Sequence, residues 1–459
     1  MAAGTASTYL SRTPSGSGSN STFTISFWIL RSQLGSPSQI LLTGGTDGGS
    51  QSNVIYFDTS DRLACYQGTG GNQWYTTNLK YYDTTSWYHI VNTFDSTATG
   101  TDKIKLWVNG NLVTNYNVDN RSSFTNCQDI NQNVLNRWGS GATANYFMGY
   151  MAQICMADGT AYAATDFGSV DATTGVWKPK SDGELRSGIT FGTNGYLLPF
   201  SNASYLGYDY QSSDRSGTTN DFTVSGNGYK TIDNPSNGMM TLNRNWNSVG
   251  YWSSSGGGDT GQQGMLNFAN TGSGYPSSAH AASMGIYATK TMPFYYEVQG
   301  FSADDISFGV MAARPTGGVG QSYDDPTCFQ VRPYAGSAKW IKAGTMVSQS
   351  DITGAGHFMI AVDPVNNKMW AGKDGTWIGD PAAGTGNTFD LTADTEWTVA
   401  CHNYVSNSSN IFNFNFGDGY FGSTSEGATN SDDAGQGVFK YDVPAGFYTF
   451  NLKNLKTYG

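Results

Sequence analysis

Charge is what this chain has least of. Asp, Glu, Lys and Arg together make up 13% of its 459 residues, about half the share in an ordinary soluble domain. Glutamate is nearly missing: only Glu184, Glu297, Glu396 and Glu426 occur among 35 acidic residues. A coiled coil needs Glu- and Lys-rich heptads, so that class is excluded. Asp favours turns, where its carboxylate bonds nearby backbone N–H groups, whereas Glu favours helices. The acid bias therefore points to a loop-rich β protein. Lys and Arg number only 24, and the net charge is −11. No basic stripe is present to neutralise phosphates, which argues against nucleic acid and against an anionic membrane surface as partners. No apolar run approaches the roughly 18 residues of a membrane span, so no membrane insertion is expected. Met1-Ala2-Ala3-Gly4 opens without the basic and apolar regions of a secretory signal.

Cysteine is also sparse. Cys65, Cys127, Cys155, Cys328 and Cys401 are odd in number and widely spaced, with no C-x-x-C pair. This is neither a disulfide framework nor a zinc or redox motif. Five buried thiols in a protein made in a reducing cytoplasm are expected.

Glycine and aromatics are abundant instead. There are 59 Gly, and aromatics reach 14%. Disorder requires few aromatics and high charge, and collagen requires Gly at every third position; the chain meets neither condition. Short segments alternate with period 2, as half-buried strands do. Phe23–Ile29, Tyr88–Phe94 and Lys103–Val108 read as strands, the last placing Ile104, Leu106 and Val108 on one face. It runs into Asn109-Gly110, a dipeptide that tolerates the positive φ angles of a tight hairpin turn. A second series follows: Phe294–Val298, Ile306–Met311, His357–Val362, Lys368–Lys373, Trp397–Cys401 and Ile411–Phe416, with Asp374-Gly375 as another hairpin turn. Many short strands with Gly, Asn and Asp turns mean sandwiches or barrels. We expect an all-β chain of two antiparallel β-sandwich (jelly-roll) domains in tandem, at 1–230 and 285–459. Residues 231–284 form a Gly/Ser-rich connection, partly packed through Trp246, Tyr251, Trp252 and Phe268.

The first domain resembles the laminin-G/concanavalin-A-like sandwich, on Trp87–Asp95 followed by Lys105–Gly110. It is more similar still to a subset found in bacteriophage structural proteins. The segments that carry this are Tyr9–Pro14, Asp158–Ala161, Asp166–Gly168, Gly175–Lys180, Asn194–Phe200, Asp214–Phe222 and Asp233–Asn237. The second domain resembles the SPRY domain of the same phage proteins, on Tyr295–Val298, Ile306–Val310, Trp370–Trp377, Asn415–Gly417 and Pro444–Phe447. The resemblance implies a virion protein made in the bacterial host cytoplasm and displayed on the particle surface. A tail fibre or receptor-binding protein comes first, and a head fibre or capsid decoration protein is the alternative. It also implies other virion proteins as partners, a homo-oligomer of trimeric type, and contact with host cell-surface polysaccharide. No Ca²⁺-binding acidic constellation of the laminin-G type matches, and SPRY loop residues cannot be aligned, so no ligand residues are carried over.

Catalysis finds little support. Glucanases of the concanavalin-A-like fold carry E-x-D-x-x-E on one strand, and here the nearest two Glu are far apart, at 396 and 426. The pairs Asp304-Asp305, Asp324-Asp325 and Asp432-Asp433 read as solvated turn carboxylates, because successive strand side chains point to opposite faces. No G-x-S-x-G or G-x-x-x-x-G-K-[ST] occurs. His89, His280, His357 and His402 lack metal-ligand spacing, and His89 and His357 read as structural. No catalytic residue, metal or cofactor is assigned, and a polysaccharide depolymerase remains the alternative of another class. Binding is favoured: sugar rings lie on aromatic faces while their hydroxyls bond polar groups. Trp74, Tyr75, Tyr82 and Trp252 stand in loop-like contexts and are the candidate carbohydrate-binding residues.

Overall fold

The computed structural model describes residues 8–45, 53–67, 72–141, 145–172, 175–216, 219–226, 228–242, 267–269, 281–300, 306–313, 326–403, 411–421 and 424–459. The chain divides into two compact units, Met1–Lys230 and Thr231–Gly459. Both are built from antiparallel sheets. Among the described residues the α-helices are two of seven residues each, Asp182–Gly188 and Leu452–Tyr458, and no helix is long and apolar enough to cross a membrane.

In the first unit an eight-stranded sheet runs in the order Tyr116–Asp119, Asn72–Lys80, Arg62–Gln67, Asn53–Phe57, Gln39–Gly44, Asn136–Trp138, Tyr9–Arg12, Thr223–Ser225. A six-stranded sheet runs Tyr196–Leu198, Gly149–Asp158, Thr22–Arg31, Tyr88–Asp95, Ile104–Val108, Asn111–Leu112. Alternation fills the space between them: Phe23, Ile25, Phe27 and Ile29 share one core with Leu42, Ile55, Cys65 and Trp138. Phe27 meets Trp138 edge to face at 5.0 Å, an arrangement that aromatic quadrupoles favour. Ile104 and Leu106 are buried on the core side as the pattern requires, whereas Val108 is only partly buried and packs at its margin. Asn109 and Gly110 both take positive φ, 49° and 78°, as a two-residue hairpin turn demands.

The other face of the six-stranded sheet departs from simple alternation. Thr24, Ser26 and Trp28 should face water, yet all are buried. Segments 159–172 and 175–191 lie over this face, where Phe167, Leu185, Ile189 and Phe191 join Val91, Cys155 and Leu197 in a second apolar cluster. Thr24 Oγ1 donates to Thr160 O at 2.9 Å and accepts from Tyr162 N. The short helix in this layer is started by Ser181 and Glu184, which cap each other's backbone N–H groups.

In the second unit one sheet carries Asn267–Ala269, Ile411–Asn415, Phe294–Gly300, Gly356–Asp363, Lys368–Lys373 and Thr376–Trp377, with Phe389–Asp390 and Tyr448–Thr449 added at its flanks. The other runs Ala281–Met284, Trp397–Asn403, Ile306–Ala312, Phe329–Arg332, Lys339–Lys342, Thr345–Ser348. Tyr296, Val298, Phe308, Val310, Phe358, Trp397 and Phe414 form the shared core. The expected connection is in part integral to this unit. Met240 and Leu242 lie in its core, and Leu242 bridges to Gly285. All five cysteines are buried free thiols.

Candidate ligand-binding site

Two of the sequence-derived candidates belong to the core rather than to a surface. Trp74 is 4% exposed and packs edge-on against Phe94 and Phe124. Tyr75 is fully buried, and its hydroxyl accepts a 2.9 Å bond from Asn92 Nδ2 on the facing sheet. The local backbone explains why neighbours both turn inward. Cys65 pairs with Tyr75 and Tyr66 with Gln73, so Trp74 is the extra residue of a β-bulge. Tyr82, just past that strand, is 59% exposed. Trp252 lies outside the described residues.

A different surface emerges where four of the quoted phage-like segments meet. Arg12 donates from Nη1 to Asn194 O at 3.0 Å and from Nη2 to Asn220 Oδ1. Asp158 Oδ1 accepts from Ser19 N and Asn131 Nδ2, both at 2.7 Å, and its Oδ2 accepts from Asn194 N at 3.0 Å. Asp209 takes Leu197 N, Gln211 N, Asn220 N and Gln211 Nε2. Segments from 9–14, 158–161, 194–200 and 214–222 are thereby tied into one network at the sandwich edge.

On this network stands a ladder of half-buried tyrosines. Tyr205 and Tyr208 ring centroids lie 4.4 Å apart, and Tyr210 meets Tyr208 edge-on at 6.4 Å. The Arg215 guanidinium lies 3.9 Å from the Tyr208 ring centre, a cation–π distance. Arg215 is fixed by Asp221 Oδ1 and Oδ2 at 3.0 and 2.7 Å, the bidentate fork that carboxylates favour. Burial acts to push the Asp221 carboxyl up, but the Arg215 fork and the Asp209 N–H outweigh it and hold it below its usual value. Asp209 goes the other way, raised by burial. Tyr208 thus packs against both Arg215 and Tyr205, and with Tyr205 and Tyr210 it makes an ordered aromatic cluster. Sequence reasoning singled out Asp214–Phe222 but missed the tyrosines.

The groups that most resemble catalytic machinery are engaged structurally. His89 is fully buried, stacked on Trp28 at 4.5 Å. Trp177 Nε1 donates to its Nδ1 at 2.9 Å, so Nε2 carries the proton and donates to Ser26 Oγ, also at 2.9 Å. A nitrogen already protonated cannot accept the serine proton, so this pair is not a nucleophile–base dyad. Burial depresses His89 to about 3. Glu297 is fully buried and accepts from Tyr295 OH, Asn415 Nδ2, Lys440 N and Tyr441 N at 2.9–3.2 Å. Burial pushes its carboxyl up to about 7, with these donors limiting the rise. Asp432, expected in solvent, is buried and accepts four bonds, from Ala434 N, Gln436 N, Thr449 N and Asn454 Nδ2. Its turn folds back onto the sandwich edge, while Asp433 alone faces water. Asp304-Asp305 and Asp324-Asp325 lie outside the described residues. Among the described residues no group of three or more His, Cys, Asp or Glu side chains could hold a metal ion.

Comparison with known proteins agrees with the sandwich. Residues 4–160 match the family model of the concanavalin A-like lectin/glucanases superfamily. The match covers about a third of the chain and lies within the first unit. No curated protein matches the sequence. Among solved structures the chain is similar to a SAP-like pentraxin from Limulus polyphemus, at 10% identity over 34% of this chain and 71% of that one, with a TM-score of 0.26. It is similar to the SPRY domain of human HERC1 at 13% identity, over 32% and 87%, with a TM-score of 0.25. A third is a putative carbohydrate-binding protein from Bacteroides ovatus, at 18% identity over 48% and 57%, with a TM-score of 0.29.

Proposed function

We propose that this chain is a non-enzymatic, glycan-binding protein of a bacteriophage particle surface, of the tail-fibre or receptor-binding type. The observation that carries the binding reading is the Tyr205–Tyr208–Tyr210 ladder, locked by Arg215 and Asp221 before any ligand arrives. Rigid tyrosines supply contact area at low entropic cost, and a half-exposed ring offers an apolar face to sugar C–H groups. The lectin-type fold of residues 4–160 supports the same reading. So does the carboxylate geometry: Asp209, Glu297 and Asp432 are buried and, like Asp221, are engaged by structural N–H, O–H or guanidinium donors. The particle-surface assignment is supported by the ordered phage-like segments, four of which, those containing Arg12, Asp158, Asn194 and Asn220, share one hydrogen-bond network.

The full chain should retain purified host capsular or lipopolysaccharide glycan on a biosensor surface. Tyr205→Ala should weaken that retention by about tenfold, the loss of one stacked ring. No reducing ends should be released. Failure to retain any host glycan, or release of reducing ends, would overturn the reading.

A further inference from the structure

One edge of the first unit is left open. Its eight-stranded sheet ends on Tyr116–Asp119 and its six-stranded sheet ends on Asn111–Leu112. Residues 113–115 alone join the two, a link that spans at most about 14 Å, so both end strands lie on the same side of the sandwich. Among the described residues no strand pairs with the free side of either. An end strand offers a row of unpaired N–H and C=O groups, and proteins guard it with Lys, Pro, a bulge or a covering segment. Between Lys105 and Asp119 there is no charged side chain and no proline. Asp119 is itself engaged by Arg121. None of residues 111–120 is buried. Val113 and Tyr116 reach the margin of the core, whereas Leu112 is left 47% exposed. Exposed Leu79 stands beside them, since its neighbour Asn78 bonds Asn115 through both backbone and side chain. The one guard is a bulge between Tyr116 and Val118.

Whatever covers this side must satisfy two end strands at once. An extended peptide pairs with one of them, whereas a second copy of the chain brings both, at the same separation. A two-fold axis normal to the sheets sets each end strand antiparallel to its own counterpart. Both sheets then continue across the contact, which is isologous. Charge points the same way. The net charge is −11, so two copies repel over most of their surface. The stretch from 106 to 118 carries no charge, which lets like-charged copies approach there and offers nothing to a basic or acidic partner. We propose that this edge is a contact between two copies of the chain. Being two-fold, it closes as a dimer, unlike the trimer that the phage resemblance implies. The opposite ends of the two sheets are Tyr196–Leu198 and Thr223–Ser225. Tyr210 N donates to Leu197 O, so the tyrosine cluster lies away from the contact. The inference does not depend on the glycan-binding reading.

Short end strands and a bulge make a smaller contact than the roughly 20–30 residues a side of a standard interface. A dissociation constant on the order of 10 µM is therefore expected. Light scattering on a sizing column should show the mass of the full chain rise from 49.2 kDa toward twice that value with loading. The range to cover is about 1 to about 100 µM. Amide exchange at 111–119 should slow over the same range, and exchange at 196–198 should not. Leu112→Lys and Asn117→Lys each add the missing guard at an exposed position. Each should raise the dissociation constant by about tenfold or more. Val365→Lys, at a position 59% exposed in the second unit, should leave it unchanged. The wild-type measurements decide even if a variant fails to fold. A mass of one chain at the highest loading, or of three, overturns the proposal. So does a dimer that survives both Lys variants, or one that forms without slowing exchange at 111–119.

Discussion

In the first unit Arg31, fully buried, bonds Asp61 at 2.9 Å, and Arg121 grips Asp119 through two oxygens at 2.8 Å. In the second unit the buried charged residues are all acids: Asp233, Glu297, Asp418 and Asp432, with no buried Lys or Arg among the described residues. There Glu297 and Asp432 rely on hydrogen-bond donors in place of cations, as Asp158 and Asp209 also do in the first unit. Glu297 and Asp432 each collect four donors, two of them backbone for Glu297 and three for Asp432, and so tie Ala434, Gln436, Lys440, Tyr441 and Thr449 to the two carboxylates. For Arg31, Arg121, Glu297 and Asp432 the buried charge is compensated, whereas both carboxylate oxygens of Asp418 are buried without a hydrogen-bond partner. The two units differ in what acid does to such groups. The Arg121 fork holds the Asp119 carboxyl below its usual value, whereas burial raises Glu297 and, well above its ordinary value, Asp418. The first unit's buried titratable ring, His89, is instead held neutral far below its ordinary range.

The largest test of this contrast removes the acceptor on which the second unit relies. Glu297→Ala leaves a phenol, an amide and two backbone N–H groups without their partner. At about 1–3 kcal/mol for each buried group left unsatisfied, we expect a loss of roughly 4 kcal/mol or more. Hydrogen exchange at 294–300 should quicken strongly while exchange at 88–95 is unchanged. Equal acceleration in both places would erase the distinction.

A pH comparison should give a smaller effect of opposite sign in the two units. His89 titrates near 3 in the fold against 6.5 ordinarily. Its contribution is therefore full above 6.5 and lost as pH falls through that value. Glu297 titrates near 7 against 4.5. Its contribution is full below 4.5 and lost as pH rises through 7. Between pH 7 and 5, acidification should cost the first unit about 2 kcal/mol through His89 and return about 2 kcal/mol to the second through Glu297. Asp209, raised by burial, offsets part of the first. Urea unfolding followed by exchange at the same two strands, at both pH values, reads the signs. Parallel slopes would contradict them.

The smallest effect sharpens the role of the layer over the six-stranded sheet. Trp177 lies on the Asn109-Gly110 turn, where a Cβ at Gly110 would fall 2.6 Å from its ring, and it supplies the proton that His89 Nδ1 accepts. Trp177→Phe keeps most of the ring and deletes the donor. Stability of the first unit should fall by about 1 kcal/mol, measured as a shift in its denaturation midpoint, with none in the second.

How much of this could be read in advance depends on whether the signal was local. Strands with strict alternation, such as those at 88–95 and 104–108, were legible, because one face meets the core and the Asn-Gly turn has its own chemistry. The burial of Thr24, Ser26 and Trp28 was not, since the covering layer comes from residues more than 130 positions later. Trp74 was misread as a loop residue because a bulge breaks the alternation at that point. The ladder escaped notice for a related reason. Three tyrosines in a Ser- and Gly-rich stretch look like ordinary loop content until Arg215 and Asp221, distant in pattern but adjacent in space, order them. Asp432 looked solvated because sequence shows a turn but not which oxygens its backbone neighbours will claim.

The central claim is that the first unit holds a saccharide and leaves it intact. Incubating the full chain with purified host polysaccharide, then measuring the mass of both components by light scattering on a sizing column, tests it directly. The account predicts co-elution with an unchanged polysaccharide chain length, weakened about tenfold by Tyr205→Ala. A shortened polysaccharide, or one that elutes free of the protein, would contradict it.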